Sequence, residues 1–354
     1  MILITQVPVA ISVVIPVFNG SPFLARCLDS LKRSKLRPAE CIVVDDCSTD
    51  DSCAVAEAMG ATVIQSERHR GPAAARNLGA CHATSDLLVF IDADVCVHRD
   101  TLSRIRARFE GEPELDALIG SYDECPAAPG IASQYKNLLN HYVHQHGHSN
   151  ATTFWSACGA IRREVFLAQG GFDESYGRPA IEDISFGYRL RRAGYRIALD
   201  RSVQVKHWKQ WTVAELVRCD IFDRALPWTR LMLEYGQIPN DLNVAVVERV
   251  CALFAWVSVA CLAAVPWYPA LLATACVAAA ANLAFNRGFF GLLAARRGWP
   301  FAAAAVPLHF AYYLYSSLTF AAGTVLYFFV WRWRPALRYS ELAERAGGAS
   351  AQHT

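Results

Sequence analysis

The stretch "LLVFIDADV", residues 87–95, is a short apolar run that ends in two aspartates one residue apart, Asp92 and Asp94. A run of this length, closed by polar residues, reads as a strand buried on both faces. The same grammar recurs upstream. "ISVVIPVFNG" (residues 11–20) is β-branched and closes on Pro, Asn and Gly. "ECIVVDDCSTDDS" (residues 40–52) ends its apolar run at Asp45 and Asp46, and Ser48-Thr49-Asp50 then caps a helix. "ATVIQSE" is a third strand, and "GPAAARNLGACHA" is a Gly-Pro start to a helix of small residues. Between the first two strands, Phe23, Leu24, Cys27, Leu28 and Leu31 fall at helical spacing. Strands alternating with helices predict an α/β fold, with a mostly parallel sheet covered on both faces.

That fold gives the acidic strand ends a purpose. In an open α/β sheet, ligands bind beyond the carboxyl ends of the strands. Asp46, Asp92 and Asp94 should therefore converge on one rim. Two carboxylates at a strand end, completed by water and phosphate oxygens, suit Mg²⁺ or Mn²⁺. Such an ion would neutralise a diphosphate leaving group.

Composition adds a second part. Hydrophobic residues make up 53% of the 354, and mean hydropathy is positive. A net charge of +2 implies no broad nucleic-acid-binding surface. The twelve cysteines form no CxxC pair and read as reduced thiols. The apolar start of the chain lacks a basic n-region and a cleavage site, so it reads as a strand and not as a signal peptide. Residues 250–286 contain no Asp, Glu, Lys or Arg, and residues 298–331 are nearly as bare. A bilayer span takes roughly 20 apolar residues, so these runs predict about three transmembrane helices, with a break at "PWYP" (266–269). The arginines after the second and third spans do not agree on an orientation under the positive-inside tendency.

Taken in order, "VVIPVFNG", "VVDDCSTDDS", "GPAAARNLGA", "FIDAD", "GGFDE" and "IEDISFGYRLRRAGYRI" resemble a family 2 glycosyltransferase with the GT-A nucleotide-sugar fold. The resemblance covers roughly residues 11 to 210. It implies that Pro16, Phe18 and Asn19 line the nucleotide base, that Asp46 hydrogen-bonds it, and that Arg76 and Asn77 lie near the nucleotide. It also implies that Asp92 and Asp94 hold ribose and metal-diphosphate, Asp94 being the direct metal ligand. Cys47 stands where Gly is commoner in the family, a departure expected to matter little. Gly159 and Ala160 are expected to allow close approach of donor sugar and acceptor, with Trp155 and Asp173 at the acceptor wall.

Glu182 and Asp183 open a helix, where carboxylates interact well with the N-terminus. The resemblance assigns Asp183 the role of base in an inverting transfer, with Glu182 in support. His207, flanked by Lys206 and Lys209, is placed to reach diphosphate or metal. "HYVHQHGH" (residues 141–148) reads as a polar surface stretch. Downstream, Val213, Leu216, Val217, Ile221 and Phe222 share a helical face bordered by Trp and Arg, as in an interfacial helix. Arg224 and Arg230 there are candidates to grip an acceptor phosphate. No Q-x-x-R-W motif of the family's processive synthases is present, which favours single transfer over polymer synthesis.

The expected organisation is therefore a catalytic domain over 1–210, interfacial helices over 211–245, transmembrane helices over 246–331 and a polar tail over 332–354. The expected activity is metal-dependent transfer of one sugar from a nucleoside diphosphate sugar to a lipid or lipid-linked acceptor. The chain is expected to be an integral membrane protein with its catalytic domain at the cytosolic face, in a bacterial inner membrane. The rivals are an anchored transferase acting on a protein or soluble glycan, and a membrane protein that binds nucleotide sugars without catalysis.

Overall fold

The computed structural model describes residues 8–333. The strands in chain order are β1 (Ile11–Val17), β2 (Glu40–Asp45), β3 (Thr62–Gln65), β4 (Leu87–Ile91), β5 (Val95–Val97), β6 (Ala117–Tyr122), β7 (Cys158–Arg162) and β8 (Ile197–His207). The helices are α1 (Ser21–Lys32), α2 (Ser52–Ala58), α3 (Pro72–His82), α4 (Thr101–Gly111), α5 (Ile131–His146), α6 (Arg163–Ala168), α7 (Glu182–Arg192), α8 (Val213–Arg218), α9 (Leu226–Tyr235), α10 (Val246–Ala264), α11 (Leu271–Phe285), α12 (Arg287–Arg297) and α13 (Trp299–Phe329). They divide into two compact units. Residues 8–123 and 149–209 form the first, and residues 124–148 and 210–333 the second.

The first unit is built on one sheet of order β3-β2-β1-β4-β7-β6-β8-β5. Strands β3, β2, β1 and β4 run parallel, as the alternation with helices predicts. β7 runs antiparallel to both β4 and β6, and β5 antiparallel to β8. Strand alternation sorts β4 onto two cores: Leu87, Val89 and Ile91 join one, and Leu88 and Phe90 the other. The second core holds five phenylalanines, Phe90, Phe154, Phe166, Phe172 and Phe186, drawn from β4, α6, α7 and the turns beside them. Neighbouring ring centroids such as Phe90–Phe166 and Phe172–Phe186 are 5.1 Å apart, in the range where tilted aromatic contacts are favourable. This cluster fixes α7 and the turn at Phe172 against the sheet.

The second unit is helical. Tyr135, Leu138 and Leu139 of α5 pack with Leu216, Phe289, Phe290 and Leu293. Residues 124–148 thus belong to this unit, although a boundary at 210 was expected to keep them with the sheet. The helical face over 213–222 is interrupted: α8 passes into a π-helical turn, Cys219–Ala225, before α9. Leu216 is buried there, whereas Val213 and Phe222 are exposed. His141 and His144 lie buried on α5, contrary to the expected surface stretch. Burial, with the charges of His141 and Arg224, pushes His144 down to about 4.

Among the described residues one helix, α10, is long and apolar enough to cross a membrane, or two if α11 and α12, bent by 67°, count as one broken span. The third expected span, α13, falls short of that measure. Its His309, Tyr312, Tyr313, Tyr315, Ser316 and Ser317 dilute the apolar run. The expected polar tail lies outside the described residues beyond 333.

Candidate active site

The carboxyl ends of β1, β2 and β4 carry Phe18, Asn19, Asp46, Asp92 and Asp94 among the sequence-predicted residues of the first unit. After β1, Phe18 is 48% exposed and packs against the His69 ring with centroids 4.1 Å apart. Asn19 has φ +51°, a left-handed conformation that Asn tolerates. Its Oδ1 accepts from the Thr49 N–H at 2.7 Å, and its own N–H donates to Ser48 Oγ at 2.9 Å, so the loops after β1 and β2 are tied together. Cys47 lies in that second loop at φ +65°. A β-carbon is disfavoured there, so the departure from Gly has a backbone cost of roughly 1 kcal/mol. The expectation that it matters little is corrected to that extent.

Asp46 is buried and accepts from the N–H groups of Arg70 (2.9 Å) and Gly71 (2.7 Å), with His69 Nδ1 2.9 Å from its Oδ2. Its carboxylate organises the 69–71 turn beneath the exposed Phe18–His69 pair. No motif in the sequence singles out His69; its one signal is its place between strand β3 and the Gly71-Pro72 helix start.

Arg76 is the hub of the site. Its Nη2 donates to Asp92 Oδ1 at 2.6 Å and its Nη1 to Glu182 Oε1 at 3.0 Å, and its side chain is only 5% exposed. Burial opposes its charge, but Asp92 and Glu182 more than offset this and raise its pKa. Burial and the neighbouring Asp183 raise Glu182 above the ordinary carboxyl value, against the pull of Arg76. Asn77, on the next position of α3, bonds Phe172 in both directions: its Nδ2 donates to the carbonyl at 2.8 Å, and its Oδ1 accepts from the N–H at 2.8 Å. It also donates to Glu174 at 3.1 Å, and Arg70 pairs with the same carboxylate. Arg76 and Asn77 thus act as internal ties in this structure, one to the acids and one to the turn after residue 171.

Asp183 is presented by a different device. Its Oδ2 accepts from both the N–H and the Oγ of Ser156, each at 3.0 Å. Ser156 is held by the packing of residues 153–155 against α7 and β7. A Cβ on Gly187 would stand 2.2 Å from Phe154 N, and one on Gly159 2.5 Å from the Phe154 ring. The space expected at Gly159 for a ligand is therefore filled by Phe154, and Ala160 is buried in the sheet. Trp155 packs edge-on against Tyr122 at 4.7 Å. Asp173 is buried; its Oδ1 accepts from Ser175, while Oδ2 has no hydrogen-bond partner.

Asp94 and His207 face each other, Oδ2 to Nε2 at 3.5 Å, with the imidazole stacked on Tyr122 at 4.4 Å. Burial raises Asp94, but His207 and Lys209 outweigh it and hold the carboxyl below its ordinary value. A carboxylate oxygen beside an imidazole nitrogen fits one edge of a Mn²⁺ shell better than one of Mg²⁺, which favours oxygen ligands. Asp92, expected to share that ion, is engaged by Arg76. Among the described residues no group of three or more His, Cys, Asp or Glu is gathered as a metal cage. Any further ligands would come from substrate or water. In the second unit, Arg230 pairs with Glu234 at 2.6 Å, while Arg224 is exposed and lines a cavity.

Residues 12–168 match the family model described as glycosyl transferase family 2. The pre-mycofactocin glycosyltransferase of Mycobacterium tuberculosis is 30% identical over 224 residues, which are 56% of this chain and 44% of that protein. The 4,4'-diaponeurosporenoate glycosyltransferase of Staphylococcus haemolyticus is 36% identical over 137 residues, 37% of this chain and 31% of that one. The chain thus spans less than half the length of these two curated relatives. The mannosyltransferase PcManGT from Pyrobaculum calidifontis, solved in complex with GDP-Man and Mn²⁺, has the same fold, with a TM-score of 0.54 over 92% of this chain and 88% of that one at 20% identity. Residues 12–168 are accordingly similar to glycosyl transferase family 2, and the chain shares the α/β fold of a solved glycosyltransferase.

Proposed function

We propose that this chain is an inverting, metal-dependent glycosyltransferase. It moves one sugar from a nucleoside diphosphate sugar to a lipid or lipid-linked acceptor at the cytosolic face of a membrane. The observation that carries the reading is the presentation of Asp183. One carboxylate oxygen is fixed by two donors from Ser156, and the helix that carries Asp183 begins at Glu182, which is tied through Arg76 to Asp92. A base held in one orientation, on an element tied to the donor-side acid, suits an in-line displacement.

The residues then divide the work. Phe18 and His69 offer an aromatic platform for the base, and Asn19 and Asp46 hold the loops that carry it. Asp183 accepts the proton of the acceptor hydroxyl as that oxygen attacks C1 from the face opposite the diphosphate. The C1–O bond breaks, and its electron pair leaves with the diphosphate. An acceptor that is already a phosphate has no such proton, and Asp183 would then orient it. A divalent cation held by Asp94 and His207 would supply charge neutralisation for the leaving group. The orphaned Asp173 Oδ2 suits a sugar hydroxyl. The GDP-Man and Mn²⁺ held together in the PcManGT complex support a nucleotide-sugar donor and a metal.

The relatives' names point to different acceptors, so the lipid is argued from this chain. Only 17% of the apolar window in α10 is buried, and Leu253, Leu262, Trp267 and Phe329 are exposed. Apolar surface of that extent marks an interaction with a membrane or a partner.

The test uses membranes containing the chain, a panel of radiolabelled nucleotide sugars with Mn²⁺ or Mg²⁺, and organic extraction. Label should enter the organic phase with the intact chain, and Asp183→Asn should lower the rate at least a hundredfold. Donor binding by that variant should be unchanged. Label confined to aqueous or protein fractions would overturn the lipid acceptor, and full activity of Asp183→Asn would remove its role as base.

A further inference from the structure

The second unit carries a half-open cavity of about 370 Å³ that the donor chemistry does not use. Its walls come from α5, the π-helical turn, α9, α10 and α13. Much of the lining is apolar, including Trp228, Met232, Ile238, Val244, Ala252 and Phe320. The polar lining is organised in two classes. The acids are satisfied from within. Asp220 takes Lys136 Nζ at 2.5 Å and the Tyr315 hydroxyl at 2.8 Å, and Glu248 takes the Tyr313 hydroxyl at 2.8 Å. The two arginines on the lining, Arg224 and Arg249, are exposed. Arg249 donates to the carbonyls of Val244 and Pro239, which orient its guanidinium without cancelling its charge. The lining thus carries three cationic and two acidic side chains, one positive charge in excess, with the arginines at the exposed edge of an apolar interior.

We propose that this cavity binds a lipid phosphate with a single hydrocarbon chain: the chain against the apolar walls, the phosphate between Arg224 and Arg249. Arginine is suited to bidentate phosphate contact. A volume near the lower end of the usual ligand-pocket range of about 300–1,000 Å³ fits a segment of one chain better than two chains side by side. The proposal deepens the preceding one by naming the acceptor's chemistry, and it takes from it only that the acceptor is a lipid. Arg249 enters here for the first time, and Arg230, paired with Glu234, leaves the acceptor site.

The test is direct binding to the full chain in a neutral detergent, read by native mass spectrometry, with dodecyl phosphate as the probe. Dodecanol serves as the uncharged control and phosphatidylglycerol as a two-chain competitor. The expected result is one dodecyl phosphate per chain, at least tenfold weaker in Arg224→Gln/Arg249→Gln. It should be lost in Ala252→Phe, which fills the cavity and leaves its charges alone. Equal binding of dodecanol, equal competition by phosphatidylglycerol, or retention by both variants would overturn the proposal. Nucleotide-sugar binding by the same preparations should not change, which shows that each variant is folded. Arginine-dependent lipid binding without sugar transfer to any lipid would retire the transfer reading and leave this site standing.

Discussion

Each unit buries a cation among acids, and the two arrangements differ in what they leave over. In the first, one guanidinium serves two carboxylates from separate elements, Asp92 and Glu182, with Asp183 and Asp94 close by in sequence. In the second, one ammonium and one phenol serve a single carboxylate, Asp220. The first cluster keeps negative charge in hand, and the second uses all of its acid internally. A site that must recruit a metal and take up a proton is served by the first kind. A site that must accept an anion is served by the second, whose lining carries three cationic and two acidic side chains.

The largest effect expected from breaking this contrast is at Arg76. Arg76→Met leaves two buried carboxylates without their cation and should cost about 3–5 kcal/mol, a fall of roughly 10 °C in thermal midpoint. Lys136→Met should cost less, about 2 kcal/mol, because Tyr315 still donates to Asp220. Equal losses from the two variants would erase the distinction. Ser156→Ala removes one of two donors to Asp183 and should lower the rate of transfer about tenfold with nucleotide affinity intact. An unchanged rate would show that the backbone N–H suffices.

The smallest effect is in pH. Glu182 lies above its ordinary value in the folded chain, chiefly through burial. A carboxyl raised on folding contributes stability that is fully present below its unfolded pKa of about 4.3, and loses it as pH rises through the folded value. Wild type should therefore lose ground to Glu182→Gln on the order of 1 kcal/mol as pH is raised from 4 toward neutrality. Thermal midpoints measured for both across that range would show the gap moving in that direction, and movement the other way would mean that Arg76 dominates.

Much of the first unit was legible because its signals are local. β1 to β4 announce themselves as apolar runs closed by turn residues, and α7 by its acidic first turn. The antiparallel insertion of β7 between β4 and β6 was not legible, since strand partners far apart in sequence leave no periodicity to read. The same limit applied to the site. Asp92, Asp94 and Asp183 stand at readable positions, but the Arg76–Glu182 pair joins residues 106 apart, and Ser156 looks like any serine until its partner is seen. The helix α5 was hardest. Lys136, Gln134 and the buried histidines suggest a surface, and only their partners, Asp220 and Arg297 among them, make it an interior.

The five-phenylalanine core with its two close-approach glycines also has a mechanical meaning. Interiors packed to this density deform little, so residues 153–156 and the start of α7 move as one stiff block. A single added methyl group at residue 187 would have nowhere to go but into that block. The cost would surface as misaim between Ser156 and Asp183. Stiffness in an apolar core, not polar contact alone, sets the accuracy with which the base is pointed.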